Sequence, residues 1–175
     1  SMTVLAPELN ISWTGASGYD SKKKTQKLSA EQPFRVASVT KTFVATAILR
    51  LQEEGRLKLD DSITLYLSAE HGQLLKADGY IPSAITIKHC LQHRSGIFDY
   101  ANGNSSYIDS ILKNPTKKWT RAQQLKFAMD AGDPLGNPGE VYGYSDTGYI
   151  VLGEIIEKVT GYSLAQALRE LLYYN

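Results

Sequence analysis

The sequence predicts a helix-rich fold with at most one or two strands, and three observations carry that expectation. Residues 38–54 (SVTKTFVATAILRLQEE) run without Gly or Pro and are apolar on almost every side near their start; charges gather at Arg50, Glu53 and Glu54, and Gly55 offers a C-terminal cap. Helical patterns recur at 86–92, 104–113, 120–130, 145–160 and 163–173, with Thr86, Thr120 and Ser163 as N-caps and Gly161 closing the penultimate one. Strand character is confined to residues 9–19, where Ile11, Trp13 and Tyr19 alternate loosely before a stop near Gly15 to Gly18. The first helix is expected to be buried at its N-terminal end. One or two strands need something to pack upon, so a larger sheet is expected to be missing.

A chain of 175 residues has the size of one domain, with room for an appendage, and its 42% apolar content suffices for a core. A formal charge of +1 gives no electrostatic case for nucleic acid or an anionic membrane surface. Lys22-Lys23-Lys24, after Gly18-Tyr19-Asp20-Ser21, reads as a solvated turn. The single cysteine, Cys90, excludes an intrachain disulfide and a thiolate metal cluster, and within IKHCL it reads as a buried thiol. No stretch approaches the ~18 apolar residues of a membrane span. Ser1-Met2 reads as the remnant of a cleaved tag, so a native targeting segment is not expected to be visible, and the compartment stays open.

Ser-x-x-Lys occurs at Ser21–Lys24, Ser38–Lys41 and Ser110–Lys113. The first lies in the lysine-rich turn and the third runs into Asn114-Pro115, whereas Ser38 opens a long apolar helix. A serine there sits among free backbone N–H groups that favour developing negative charge. Lys41 returns to the same face, and Val39, Phe43, Val44 and Ala45 around it are expected to bury the ammonium and lower its pKa toward that of a base. On the helix alone, an ordinary N-cap serine with a snorkelling lysine fits as well. The loop 132–143 (GDPLGNPGEVYG) then delivers Tyr142 and Tyr144 to a helix begun by Ser145 and Asp146. A tyrosine so placed can point its hydroxyl across a cleft and relay protons beside an ammonium. By itself Tyr144 fits a partly buried loop tyrosine better, and similar tripeptides occur at Tyr100–Asn102 and Tyr107–Asp109.

Together, FRVASVTKTFVATAILRLQEEGRLKLDDSITLYL, ITIKHCLQHRSGI and PGEVYGYSDTGYIVLGEIIEKVTGYS resemble, in order and spacing, the serine β-lactamase-related family. That family includes class C β-lactamases, D-alanyl-D-alanine carboxypeptidases and family VIII esterases. The likeness runs from about residue 9 to the end of the chain. It implies an α+β fold of the β-lactamase/transpeptidase type, with residues 1–37 as a remnant of the antiparallel sheet and 38–175 as the helical domain. It implies acyl transfer through a covalent serine ester of a β-lactam, a D-alanyl peptide or an ester, without cofactor or metal. Ser38 would attack the carbonyl, with Lys41 and Tyr144 handling its proton. Asp146 stands where the family usually carries the Asn that holds substrate and lysine; an aspartate can pair with Lys41 but raises its pKa and cannot donate to a substrate amide. His93-Arg94-Ser95-Gly96-Ile97 matches the usual His-Thr-Ser-Gly-Leu and is expected to pack around the cleft, with His93 a structural hydrogen-bonding residue rather than a catalyst. His71 and His89 show no metal-site spacing.

The family's third motif, Lys-Thr-Gly or His-x-Gly on an edge strand, is not found in these 175 residues, and the strand that normally precedes the Leu9–Tyr19 segment is also expected to be absent. Without that edge strand one oxyanion-hole donor is lost, typically ~10²–10³ in rate, so the isolated chain is expected to be a feeble hydrolase. An uncovered apolar face predicts self-association or a complementing chain. The resemblance suggests a bacterial periplasmic, extracellular or cytoplasmic setting. Two other readings stand beside it: a non-catalytic binding or scaffold domain on the same architecture, and an unrelated helical domain matching by chance.

Overall fold

The computed structural model describes residues 1–101 and 105–173. Asn102, which completes the Tyr100–Asn102 tripeptide, and Asn104, the first residue of the expected 104–113 helix, lie outside the described residues, as do Tyr174 and Asn175. The chain divides into two compact units, Ser1–Ala37 and Ser38–Asn175.

The first unit is built on a hairpin. Strand β1 (Met2–Ala6) pairs antiparallel with β2 (Ile11–Gly15), in register from Met2 opposite Gly15 to Ala6 opposite Ile11. A turn over Pro7–Leu9 ends at Asn10, whose φ of 52° suits asparagine, and the Asn10 N–H closes on the Pro7 carbonyl at 3.0 Å. A strand therefore does precede the Leu9–Tyr19 segment, contrary to expectation, and Met2 is its first paired residue. Adjacent Val4 and Leu5 hide any alternation in β1; the Pro7 and Asn10 turn residues were the signal available. Lys22 to Lys24 lie in an exposed turn closed by the Lys24 N–H on the Ser21 carbonyl at 3.0 Å.

The second unit holds seven helices among the described residues: α1 (Thr40–Glu53), α2 (Ala69–Ala77), α3 (Ile87–Leu91), α4 (Ser105–Lys113), α5 (Arg121–Ala131), α6 (Asp146–Thr160) and α7 (Leu164–Leu172). Thr86, Thr120 and Ser163 cap α3, α5 and α7 through their hydroxyls, and Gly161 ends α6 in the left-handed region at φ 75°. Helix α2, which the hydrophobic periodicity does not announce, is short and carries Gly72; its Ser68 cap is the sequence signal. Helix α6 is the central element, packed by α1, α3, α5 and α7. It buries Val151, Leu152, Ile155 and Ile156 against Ala47, Ile48 and Leu51 of α1, Ile87 and Cys90 of α3, Leu125 of α5 and Leu168 of α7. Burial pushes the Cys90 thiol up to about 12, as befits a packed, unreactive side chain. Among the described residues no helix is long and apolar enough to cross a membrane.

The burial expected at the N-terminal end of the first helix is reversed. Val39 and Phe43 are exposed, and the buried positions Val44, Ala47, Ile48 and Leu51 follow one face toward the C-terminus. An all-apolar start therefore did not mean an all-round contact, because a helix packs through one stripe.

One polar contact inside the bundle carries a prediction. Glu154 of α6 accepts from the Ser68 N–H at 2.8 Å and from His71 Nδ1 at 2.6 Å, tying α2 to α6 with both side chains about nine-tenths buried. Glu154→Ala should cost about 3 kcal/mol, since it strands the buried His71 donor and also removes the acceptor of the Ser68 N–H, and should register as a lower midpoint in urea unfolding.

Candidate active site

Two chain segments converge at the N-terminal ends of α1 and α6. Ser38 lies in a single 3₁₀ turn, Ala37–Val39, that feeds α1. The cap position of α1 is Val39, and no side chain caps the helix, so the Ser38 hydroxyl is not engaged as a helix cap. Lys41 follows one turn later.

Tyr144 arrives from the other side. Ser145 caps α6, its hydroxyl accepting the Gly148 N–H at 3.1 Å, so Tyr144 is the last loop residue before the helix. The loop before it is pinned to the segment 93–96 by three backbone bonds: Leu135 N–H to the Gly96 carbonyl at 2.9 Å, Gly139 N–H to Arg94 at 2.8 Å, and Gly143 N–H to His93 at 2.9 Å. Gly96 is required there twice over. Its φ is 74°, and a Cβ would stand 2.2 Å from the Gly136 carbonyl oxygen.

These two scaffolds bring the four residues singled out in the sequence into one cluster. The Tyr144 hydroxyl donates to Ser38 Oγ at 2.8 Å, and Lys41 Nζ donates to the same oxygen at 3.1 Å. Lys41 also donates to Asp146 Oδ1 in a direct ion pair. Its ammonium lies 4.9 Å from the Tyr144 ring centre and 5.6 Å from that of Tyr149, within cation–π range of both. Ser38 is exposed, Tyr144 is 37% exposed, and the Lys41 and Asp146 side chains are 15% and 19% exposed. The Ser38 hydroxyl is thus accessible while the Lys41 ammonium beside it is partly shielded.

The electrostatics correct one expectation. Burial is the largest single influence on Lys41 and pulls its pKa down, as the sequence predicts. The hydrogen bonds and charges of Asp146 and Tyr144 together outweigh it, so the ammonium is held above the ordinary lysine value. Lys41 is therefore held as a charged donor. The carboxylate at position 146 is the principal reason.

Other Ser-x-x-Lys and Tyr-x-Asn/Asp matches are set elsewhere. Lys24 and Lys113 are exposed, the latter at the end of α4. Tyr100 and Tyr107 meet edge to face at 4.8 Å in an aromatic cluster with Trp119 and Phe127. Two residues near the site carry more than the sequence revealed. Asp99, buried, accepts from the Asp146 N–H at 3.2 Å and from the Ala101 N–H at 2.9 Å, fixing the first residue of α6. His93 stacks on the Tyr144 ring with centres 4.3 Å apart. The tetrapeptide His93-Arg94-Ser95-Gly96 was the available signal for both, because it anchors the segment they share.

Comparison with known proteins gives a consistent picture. The family model described as Beta-lactamase matches residues 10–173. Penicillin-binding protein 4* of Bacillus subtilis is 29% identical over 98% of this chain and 35% of its own length. Esterase EstB of Burkholderia gladioli is 32% identical over 98% of this chain and 43% of its own length. Among solved structures, a D-stereospecific amidohydrolase from Streptomyces sp. superposes with a TM-score of 0.69 at 35% identity, covering 78% of this chain and 40% of its own. The chain therefore spans well under half the length of the relatives it matches.

Proposed function

The chain belongs to the serine β-lactamase-related family and has its β-lactamase/transpeptidase-like fold, and from that premise we propose that it serves as the nucleophile-bearing part of a serine hydrolase. The single observation that carries this reading is the pair of hydrogen bonds, from Tyr144 and Lys41, that meet on Ser38 Oγ.

In the reaction proposed, Lys41 first loses its extra proton to solvent. Ser38 Oγ then forms a bond to a carbonyl carbon as its own proton passes to the Lys41 amine. The bond to the leaving group breaks, and the Tyr144 hydroxyl supplies the proton that group needs, to be restored from Lys41. Water later cleaves the ester by the reverse sequence. Asp146 orients Lys41 and faces the acyl donor. The names of the relatives, a penicillin-binding protein, an esterase and an amidohydrolase, support an activated amide or ester as the substrate class, with a β-lactam or D-alanyl peptide as its members.

A second reading has one observation in its favour. Lys41 is held protonated by Asp146, which suits a domain that keeps the cleft for binding and does not turn over. A fluorophosphonate probe separates the two: Ser38 Oγ bonds to phosphorus, fluoride leaves, and the hydroxyl proton goes to Lys41. The hydrolase reading expects one adduct by mass spectrometry, on the peptide containing Ser38, and none with Ser38→Ala. A folded protein that gains no adduct supports the binding domain.

A further inference from the structure

We infer that His93 is a positioning residue that clamps the segment 143–145 and thereby sets where the Tyr144 hydroxyl meets Ser38, and that only the neutral imidazole can do so. Its catalytic consequence rests on the serine-hydrolase reading; the clamp itself does not.

Three contacts make the clamp. The His93 carbonyl accepts the Gly143 N–H at 2.9 Å, and its ring Nδ1 accepts the Ser145 N–H at 3.1 Å. These are the amides on either side of Tyr144. Between them the imidazole lies against the phenol ring, 4.3 Å centre to centre and 24° from parallel. The phenol is therefore held at both backbone ends and along one ring face, with its hydroxyl left to reach Ser38 at 2.8 Å. His93 adopts φ 55°, uncommon for a residue with a Cβ, and that turn lets its carbonyl and its ring address the same partner segment.

The protonation state follows from the acceptor role. Nδ1 can take the Ser145 N–H only with a free lone pair, which places the ring proton on Nε2. Protonated, Nδ1 would turn a donor on a donor. The charged and titratable groups around the ring are Lys41 from α1, Tyr142 and Tyr144 from the loop, Asp146 and Tyr149 from α6, and Asp99 just ahead in its own segment. Burial first, then the Lys41 charge, hold the imidazole below its ordinary 6.5 against the opposing pull of Asp146 and Asp99. A histidine with a lowered folded pKa contributes its full stability above the ordinary value, and that contribution fades as pH falls through the folded pKa. The clamp should thus open on the acid side of 6.5.

Two variants of the full chain test this. His93→Leu removes the acceptor and the flat ring; His93→Asn keeps an acceptor oxygen near the Nδ1 position and tolerates the left-handed backbone. By amide exchange in NMR, the Ser145 N–H should exchange about tenfold faster in His93→Leu and stay near wild type in His93→Asn. Fluorophosphonate labelling of Ser38 should slow about tenfold in His93→Leu and largely recover in His93→Asn. The wild-type labelling rate should fall more steeply with acid below the ordinary histidine range, and His93→Asn should lack that extra steepness. Unchanged Ser145 exchange in His93→Leu, or identical acid limbs in wild type and His93→Asn, overturns the inference. Should His93→Leu fail to fold, the comparison of wild type with His93→Asn decides. A wild-type protein that does not label refutes the serine-hydrolase reading, while the exchange measurement still judges the clamp.

Discussion

Tyr144→Phe should slow fluorophosphonate labelling of Ser38 by about 10²–10⁴-fold while leaving the thermal midpoint nearly unchanged. The substitution deletes one atom, the hydroxyl that donates to Ser38 Oγ at 2.8 Å. It keeps the ring, so the stack on His93 at 4.3 Å and the cation–π contact with Lys41 survive. Tyr144 is more than one-third exposed, and its hydroxyl is not buried in the core, so little folding energy depends on it. A large kinetic loss without a stability loss is the signature of a group that works on the reacting atoms. A rate indistinguishable from wild type would mean that the phenol is a bystander.

Asp146→Asn should act in the opposite direction, raising the labelling rate at neutral pH by about tenfold or more. Asp146 is the first of the influences that lift the Lys41 ammonium, through both its hydrogen bond and its charge. An opposite charge in contact typically moves a pKa by ~1–3 units, and each unit of fall leaves about ten times more free amine at a given pH. Asparagine keeps an acceptor oxygen for Lys41 while removing the charge, so burial becomes the dominant influence and pulls the amine toward a useful range. Stability carries the same sign information. A lysine raised in the folded state contributes stability that is fully present below the ordinary lysine value and is lost as pH rises through the raised one. Wild type should therefore weaken on the alkaline side of 10.5 more than Asp146→Asn does, as urea unfolding across pH would read. Slower labelling by the asparagine variant would mean that the carboxylate itself assists the serine.

Much of this was legible in the chain, and the reasons differ by element. Caps speak locally: Thr86, Thr120 and Ser163 each bond an amide a few residues on, so a short window of sequence contains the whole interaction. The hairpin strand β1 was not legible, because its five residues show no alternation and its partner lies across a turn. Nor was the exposure of Val39 and Phe43, since composition reports how apolar a helix is and not which face finds a partner. At the site, the spacing of Ser38 and Lys41 predicted their shared face. The sign of the Lys41 shift escaped, because it depends on whether a residue over a hundred positions away pairs with it. The hydrogen-bonding role of His93 around the cleft was legible, but its partners were not, because the amide it accepts from and the ring it stacks on belong to a segment far along the chain.

If the hydroxyl of Ser38, the amine of Lys41 and the phenol of Tyr144 act as one unit, a double-variant cycle on the labelling rate of Ser38 reads it most directly. Lys41→Met and Tyr144→Phe should each slow labelling strongly, and the double variant should be scarcely slower than the worse single one, because either loss disables the same proton path. Independent, multiplying effects of the two substitutions, or single variants as fast as wild type, would contradict it.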